Sequence, residues 1–308
     1  NGGFGQDVST GLTNGRYATV VGGAITIAAI LAGDLPTGID VAKLAAGTVT
    51  NTVFGYLANV TSDIQAQLNA LLPASGRSLR IGLSGVPVIS ETIALHTIIE
   101  LVRATGARVH ICRISSGAGI ELIRQARAEG LPISCDVGAH HVHLTDNDIG
   151  FFDPNARLTP PLRSQRDRDA IRAGLLDGTV SAICSDHTPV DDDEKLLPFG
   201  EASPGATGLE LLLSLALKWA EASAPGKDGL ATALARITCD AAKVAGLDAG
   251  TLTVGGTADI CVFDPAVRWK VEAAALQSQG KHTPFLGYEL QGQVRHTIVS
   301  GRLAYSRK

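Results

Sequence analysis

Apolar and polar positions fall into a regular order only after Gly82. The stretch "SETIALHTIIELVRATG" puts Ile93, Leu95, Ile98 and Leu101 at helical spacing, with Ser90 as a start signal and Gly106 as a stop. "ARVHIC" follows as an apolar run of strand length, then "SGAGIELIRQARAEG" as a helix closed by Gly130. "LPISCDVG" reads as the next strand. "SQRDRDAIRAGLLDG" reads as a helix with a capping-box pattern at Ser164 and Asp167 and an end at Gly178. "TVSAICSD" is a further strand and "ATGLELLLSLALKWAEA" a long apolar helix. Strands alternating with helical crossovers predict a parallel sheet, and unbroken apolar strands predict burial on both faces. An open doubly wound sheet and a closed barrel both fit this pattern.

The two ends of the chain read differently. "GTLTVGGTADICVFDP" and "GQVRHTIVSGRLAYS" predict short strands joined by glycine turns, as in a small β-domain. Residues 1–80 contain neither Glu nor His and are dominated by Gly, Ala, Thr and Val, so their periodicity does not separate strand from helix. The apolar run Ala18–Gly33 is shorter than the roughly 20 residues of a membrane span and reads as a core strand or helix. No basic segment of a signal peptide is seen, and the lack of any methionine suggests a fragment.

Composition narrows the classes further. The 308 residues are 45% hydrophobic, with a formal net charge of -4 and a pI near 6.1. That balance points away from nucleic acid and from anionic membranes as partners. Five cysteines, Cys112, Cys135, Cys184, Cys239 and Cys261, occur without a Cys-x-x-Cys. They read as reduced core thiols of a cytoplasmic protein, a zinc-thiolate site being the alternative.

In parallel α/β folds, chemistry collects at the carboxyl ends of the strands. Three predicted strand ends carry polar groups: His110 with Arg113; Asp136 followed by His140, His141 and His143; and Asp186 with His187. Asp186 reads either as a metal ligand or general base, or as a structural ion-pair partner. The histidine cluster offers imidazole ligands, but neighbours this close in sequence point in different directions. His110 alternates with Ile111 and reads as a hydrogen-bonded core residue. The acidic run Asp191 to Glu194 reads as a solvated loop, a lid or partner-binding role being the alternative.

From about Leu83 to Tyr305 the chain resembles the dihydroorotases of the amidohydrolase superfamily. The resemblance rests on "SGVPVISETIALH", "TGARVHICRISSGAGIELIRQARAEGLPISCDVGAHH", "LTPPLRSQRDRDAIRAGLLDGTVSAICSDHTP", "PFGEASPGATGLE" and "TPFLGYELQGQVRHTIVSGRLAY". It implies an α/β fold, a (β/α)8 TIM-type barrel with a small β-sandwich side domain. Residues 81–245 would supply the later barrel strands and helices, and 246–308 the β-domain and tail. Residues 1–80 stay unassigned, as a divergent or incomplete early barrel. It also implies hydrolysis of the cyclic amide of dihydroorotate, in pyrimidine synthesis, by zinc-generated hydroxide with an aspartate as proton shuttle.

Carried over residue by residue, the resemblance retains Asp186 as the catalytic aspartate, with His187 behind it. Arg113, however, stands where the family has a histidine metal ligand on the sixth strand. Thr159 replaces an asparagine and Val190 a histidine, both substrate-carboxylate ligands of the family. No His-x-His precedes residue 96. His140, His141, His187 and Arg163 remain as further pocket candidates. An arginine has no lone pair for zinc. At about 4 Å and an effective dielectric of about 20 it repels a dication by on the order of 8 kcal/mol.

The resemblance thus implies a non-catalytic homologue without a metal cofactor. Such homologues accompany aspartate transcarbamoylase, so that enzyme and further copies of the chain are the expected partners. The alternative is an active dihydroorotase or related cyclic amidohydrolase with zinc, drawing on His140 or His141 with Asp186. A binder of dihydroorotate without turnover is a third reading. Because a lone buried carboxylate is costly, Arg113 is expected to fill the vacated metal position and pair with Asp186.

Overall fold

The computed structural model describes residues 18–21, 24–27, 85–223 and 226–307. The chain divides into two compact units, Asn1–Gln67 and Leu68–Lys308. In the first, β1 (Ala18–Val21) and β2 (Ala24–Ile27) pair antiparallel, with Val21 opposite Ala24. The apolar run from Ala18 therefore begins as a hairpin. The other residues of the 1–80 segment lie outside the described ones.

The second unit opens with α1 (Val88–Thr105) and continues through β3 (Val109–Ile111), α2 (Gly117–Ala128) and β4 (Ile133–Gly138). The short helix α3 (Ala139–His143), α4 (Gln165–Asp177) and β5 (Ala182–Cys184) follow. The three strands form one parallel sheet in the order β3-β4-β5, so each crossover adds its strand beside the last. Helix α1 begins two residues earlier than Ser90 suggests, behind Pro87, whose fixed φ pre-sets the first turn. It ends as expected at Gly106, at φ 68°. Ser164 Oγ accepts the Asp167 N–H at the start of α4. The Asp167 carboxylate, instead of closing a capping box, accepts the Ser164 hydroxyl at 2.6 Å and the Gly117 N–H at 3.0 Å, which ties α4 to α2.

Register decides what each sheet face carries. Ile111, Ile133, Cys135, Val137 and Ile183 alternate onto the helix side, where all but the partly buried Ile111 are buried, with Ile120, Ile123, Ile171 and Leu175 of the covering helices. His110 stands opposite Ser134 and Asp136 opposite Ala182, so the other face carries His110, Cys112, Ser134, Asp136, Ala182 and Cys184. The expectation of strands apolar on both faces is corrected here. A period-2 polar series lies inside runs that look uniformly apolar because Cys and Ala count as apolar.

Beyond β5 come α5 (Asp192–Lys195), α6 (Leu212–Ser223), α7 (Lys227–Ile237) and α8 (Cys239–Ala245). The predicted long apolar helix thus starts at Leu212, after a 3-10 turn at Leu209–Leu211. The acidic run forms a short helix rather than an open loop, and Lys195 in it is buried, donating to the Pro154 carbonyl at 2.9 Å. Strands β6 (Ile260–Lys270), β7 (Glu289–Val299) and β8 (Arg302–Ser306) make an antiparallel meander. Where a side-domain sandwich was expected, the described residues supply this one three-stranded sheet. It is joined to α6 by hydrogen bonds from Ser214 Oγ to the Gly292 carbonyl (2.8 Å) and from Trp269 Nε1 to Ser214 Oγ (3.2 Å). Gly292, at φ 93°, leaves no room for a Cβ against Leu217. Among the described residues no helix is long and apolar enough to cross a membrane.

Ile123 has no solvent exposure between α2 and the sheet. Ile123→Ala is expected to destabilise the second unit by about 2–5 kcal/mol, measured as a shift in its urea unfolding midpoint at unchanged slope.

Candidate functional site

Three neighbouring strands release their chains at one edge of the sheet. After β3 come Cys112 and Arg113, after β4 come Gly138 and α3, and after β5 come Ser185 and Asp186. Arg113 (φ 58°) and Asp186 (φ 46°) both hold left-handed backbone that non-glycine residues seldom adopt, as residues at functional sites often do.

The two side chains meet. Arg113 Nη1 donates to Asp186 Oδ1 at 3.1 Å and to the Thr159 carbonyl at 3.0 Å. The contact is end-on through one nitrogen rather than a two-nitrogen fork. The Asp186 side chain is 6% exposed and that of Arg113 43%, so the carboxylate is the desolvated partner. Asp136 sets the arginine's backbone. Its Oδ1 accepts the Arg113 N–H at 2.6 Å and its carbonyl accepts the Ile114 N–H at 2.9 Å. Its Oδ2 lies 3.0 Å from His110 Nε2, while His110 Nδ1 lies 2.8 Å from Ser134 Oγ. His110 is hydrogen-bonded as expected, but on the polar face.

Glu91 fixes the chain just beyond. Its carboxylate accepts the backbone N–H groups of Ser115 and Ser116 at 3.0 and 3.1 Å, and both hydroxyls as well. Arg163, 9% exposed, donates to Ser115 Oγ at 3.1 Å and to the Val86 carbonyl, so it braces this turn rather than reaching Asp186. Burial depresses its pKa, against the pull of Glu91 and Asp167. Sequence reasoning missed Glu91. An acidic residue in a helix's first turn is an ordinary helix-end signal, and nothing local shows that two serines converge on it.

The histidine cluster is split by its helix. His141 Nε2 donates to the carbonyls of Pro160 (3.0 Å) and Pro161 (3.3 Å). Its buried Nδ1 has no partner among the described residues. That nitrogen and Asp186 Oδ2 both line Gly138, where a Cβ would sit 3.4 and 3.1 Å from them. Burial lowers the His141 pKa, and Asp186 opposes the shift. His140 is fully buried and stacks on Phe285 at 5.7 Å. His143 donates to the Leu215 carbonyl at 2.9 Å. Burial pushes both His140 and His143 down to about 3. His187 Nδ1 accepts the N–H groups of Gly208 and Leu209, both at 3.3 Å, and so caps the following turn. Val190 packs beside Gly205.

Around the Asp186 carboxylate, then, stand one imidazole nitrogen and a guanidinium. A catalytic zinc needs three protein ligands and an open position. The described residues do not fit that ion here, because the cation of Arg113 already lies against the carboxylate.

A model of the amidohydrolase family matches residues 80–304. A dihydroorotase of Geobacter sp. (strain M21) is 42% identical over 228 residues, covering 74% of this chain and 53% of that protein. A dihydroorotase of Anaeromyxobacter sp. (strain K) is 40% identical over 245 residues, covering 79% and 56%. The chain therefore spans about half the length of the curated relatives it matches. Among solved structures, the L-hydantoinase (dihydropyrimidinase) from Arthrobacter aurescens superposes with a TM-score of 0.69 at 27% identity, covering 79% of this chain and 54% of that one.

Two outcomes follow from this geometry. Arg113→Ala leaves a buried carboxylate unpaired and should cost about 1–3 kcal/mol, whereas Asp186→Asn leaves a half-exposed guanidinium that water can serve and should cost under about 1 kcal/mol. Paired denaturant melts check that asymmetry. His140 and His143 stay neutral in the folded chain down to about pH 3, but take up protons from an ordinary value of 6.5 when unfolded. The unfolded state then binds more protons, so stability falls as pH drops below 6.5, by about 4 kcal/mol for the two together between pH 7 and pH 5. His140→Leu should remove about half of that pH dependence in melts across the same range.

Proposed function

The chain belongs to the amidohydrolase family and has that family's (β/α)8 barrel fold, and from this premise we propose that it is a dihydroorotase-like protein of pyrimidine metabolism that no longer turns over dihydroorotate. One observation carries the reading: the guanidinium of Arg113 rests on Asp186, 3.1 Å away. A dication brought to this carboxylate would have to displace a fixed positive charge. Thr159 and Val190, in place of amide and imidazole donors, weaken the hold on a substrate carboxylate.

In this reading the barrel serves as a scaffold. Its partner is aspartate transcarbamoylase, met in the cytoplasm by an oligomer of this chain. The second reading, an active cyclic amidohydrolase with zinc, draws on the free Nδ1 of His141 beside Asp186.

The deciding experiment is dihydroorotate hydrolysis by the purified chain with added zinc, beside an active dihydroorotase. The expected rate is indistinguishable from buffer, and aspartate transcarbamoylase is expected to co-elute with the chain in size-exclusion chromatography. Turnover comparable to the control enzyme, abolished by Asp186→Asn, would overturn the scaffold reading in favour of the enzyme.

A further inference from the structure

The polar face of the sheet holds a second constellation that the Arg113–Asp186 contact does not use. His110, Cys112 and Asp136 each bring one ligand atom to a common point, the three atoms lying within 4.8 Å of one another. Register makes the grouping: His110 and Cys112 are alternate residues leaving β3 on one face, and Asp136 follows Ser134, the partner of His110, on the same face of β4.

We propose that these three side chains form a metal site for a thiophilic divalent ion, zinc by preference, separate from the position that Arg113 occupies. One thiolate, one imidazole and one carboxylate are a zinc-type donor set, and three chain ligands leave a fourth position for solvent. Asp136 is already oriented for it. Its Oδ1 is held by the Arg113 N–H at 2.6 Å, which leaves Oδ2 turned toward His110 Nε2 at 3.0 Å. Ser134 Oγ, 2.8 Å from His110 Nδ1, supplies the outer contact that fixes a ligating imidazole. Without metal, Nε2–H donates to Asp136 and Ser134 donates to Nδ1. On binding, the imidazole proton moves to Nδ1 and is donated to Ser134, while the Cys112 thiol proton leaves to solvent. The dication is then balanced by one thiolate and one carboxylate. The positive charge of Arg113 is spent on Asp186. The ion would clamp β3 to β4 where the chain turns out to Arg113.

The test uses the full 308-residue chain, stripped with chelator and titrated with Co²⁺ as a spectroscopic probe. The expected result is one equivalent bound, with a thiolate-to-cobalt charge-transfer band that Zn²⁺ displaces. Cys112→Ser should abolish the band, and Ser134→Ala should weaken binding by about 10-fold. Cys261→Ser and Asp186→Asn should leave the band in place, with folding checked by circular dichroism. On the unmutated chain, Zn²⁺ should slow alkylation of Cys112 by about 10-fold or more and leave Cys261 unaffected, read by mass spectrometry. The proposal is overturned by no band at one equivalent, by a band that survives Cys112→Ser, or by a band lost in folded Asp186→Asn. The last result would instead put the ion at the strand-end aspartate and count against the scaffold reading as well. The other two would leave that reading untouched.

Discussion

The Asp136 carboxylate, from within β4, holds the end of β3 in place. One oxygen takes the backbone N–H of Arg113, and the other faces His110. Arg113 can sit in left-handed backbone only because something outside its own segment holds it there. That conformation turns its side chain across the strand ends to Asp186, one strand beyond its neighbour. The Arg113–Asp186 contact therefore depends on a carboxylate from the strand between them.

A second layer supports the first. Glu91, at the start of α1, gathers the backbone and hydroxyls of Ser115 and Ser116, and Arg163 closes over Ser115. Asp167 reaches from α4 to the first residue of α2. Each carboxylate meets N–H donors that a turn or helix start would otherwise leave unsatisfied, so the polar groups under the loop stabilise it instead of straining it. The strand-end loop is fixed from both sides, which is what a charge pair needs if one partner is desolvated.

At position 113 the donor chemistry of the side chain decides which neighbour it can take. A histidine there would offer a lone pair, whereas the arginine offers a permanent charge and only donors. Asp186 has a positive neighbour, and so is tolerable in a buried place. Nearby, His140 and His143 are neutral core residues, stacked or bonded to a carbonyl.

By itself the sequence determined the alternation of strand and helix from Gly82 onward, the glycine-ended helices, the presence of strands at the tail and the candidate pairing of Arg113 with Asp186. These rest on short-range periodicity and on residue type, which a linear reading captures. It could not reveal that the β3–β4–β5 runs have a polar face, because Cys and Ala disguise a period of two. Nor could it reveal that His140, His141 and His143 serve three different neighbours, or that Glu91 anchors a loop 24 residues away. Only the tertiary structure decided those points. They depend on strand register and on where separate helices start, and these arise from packing between segments distant in the chain rather than from any local preference.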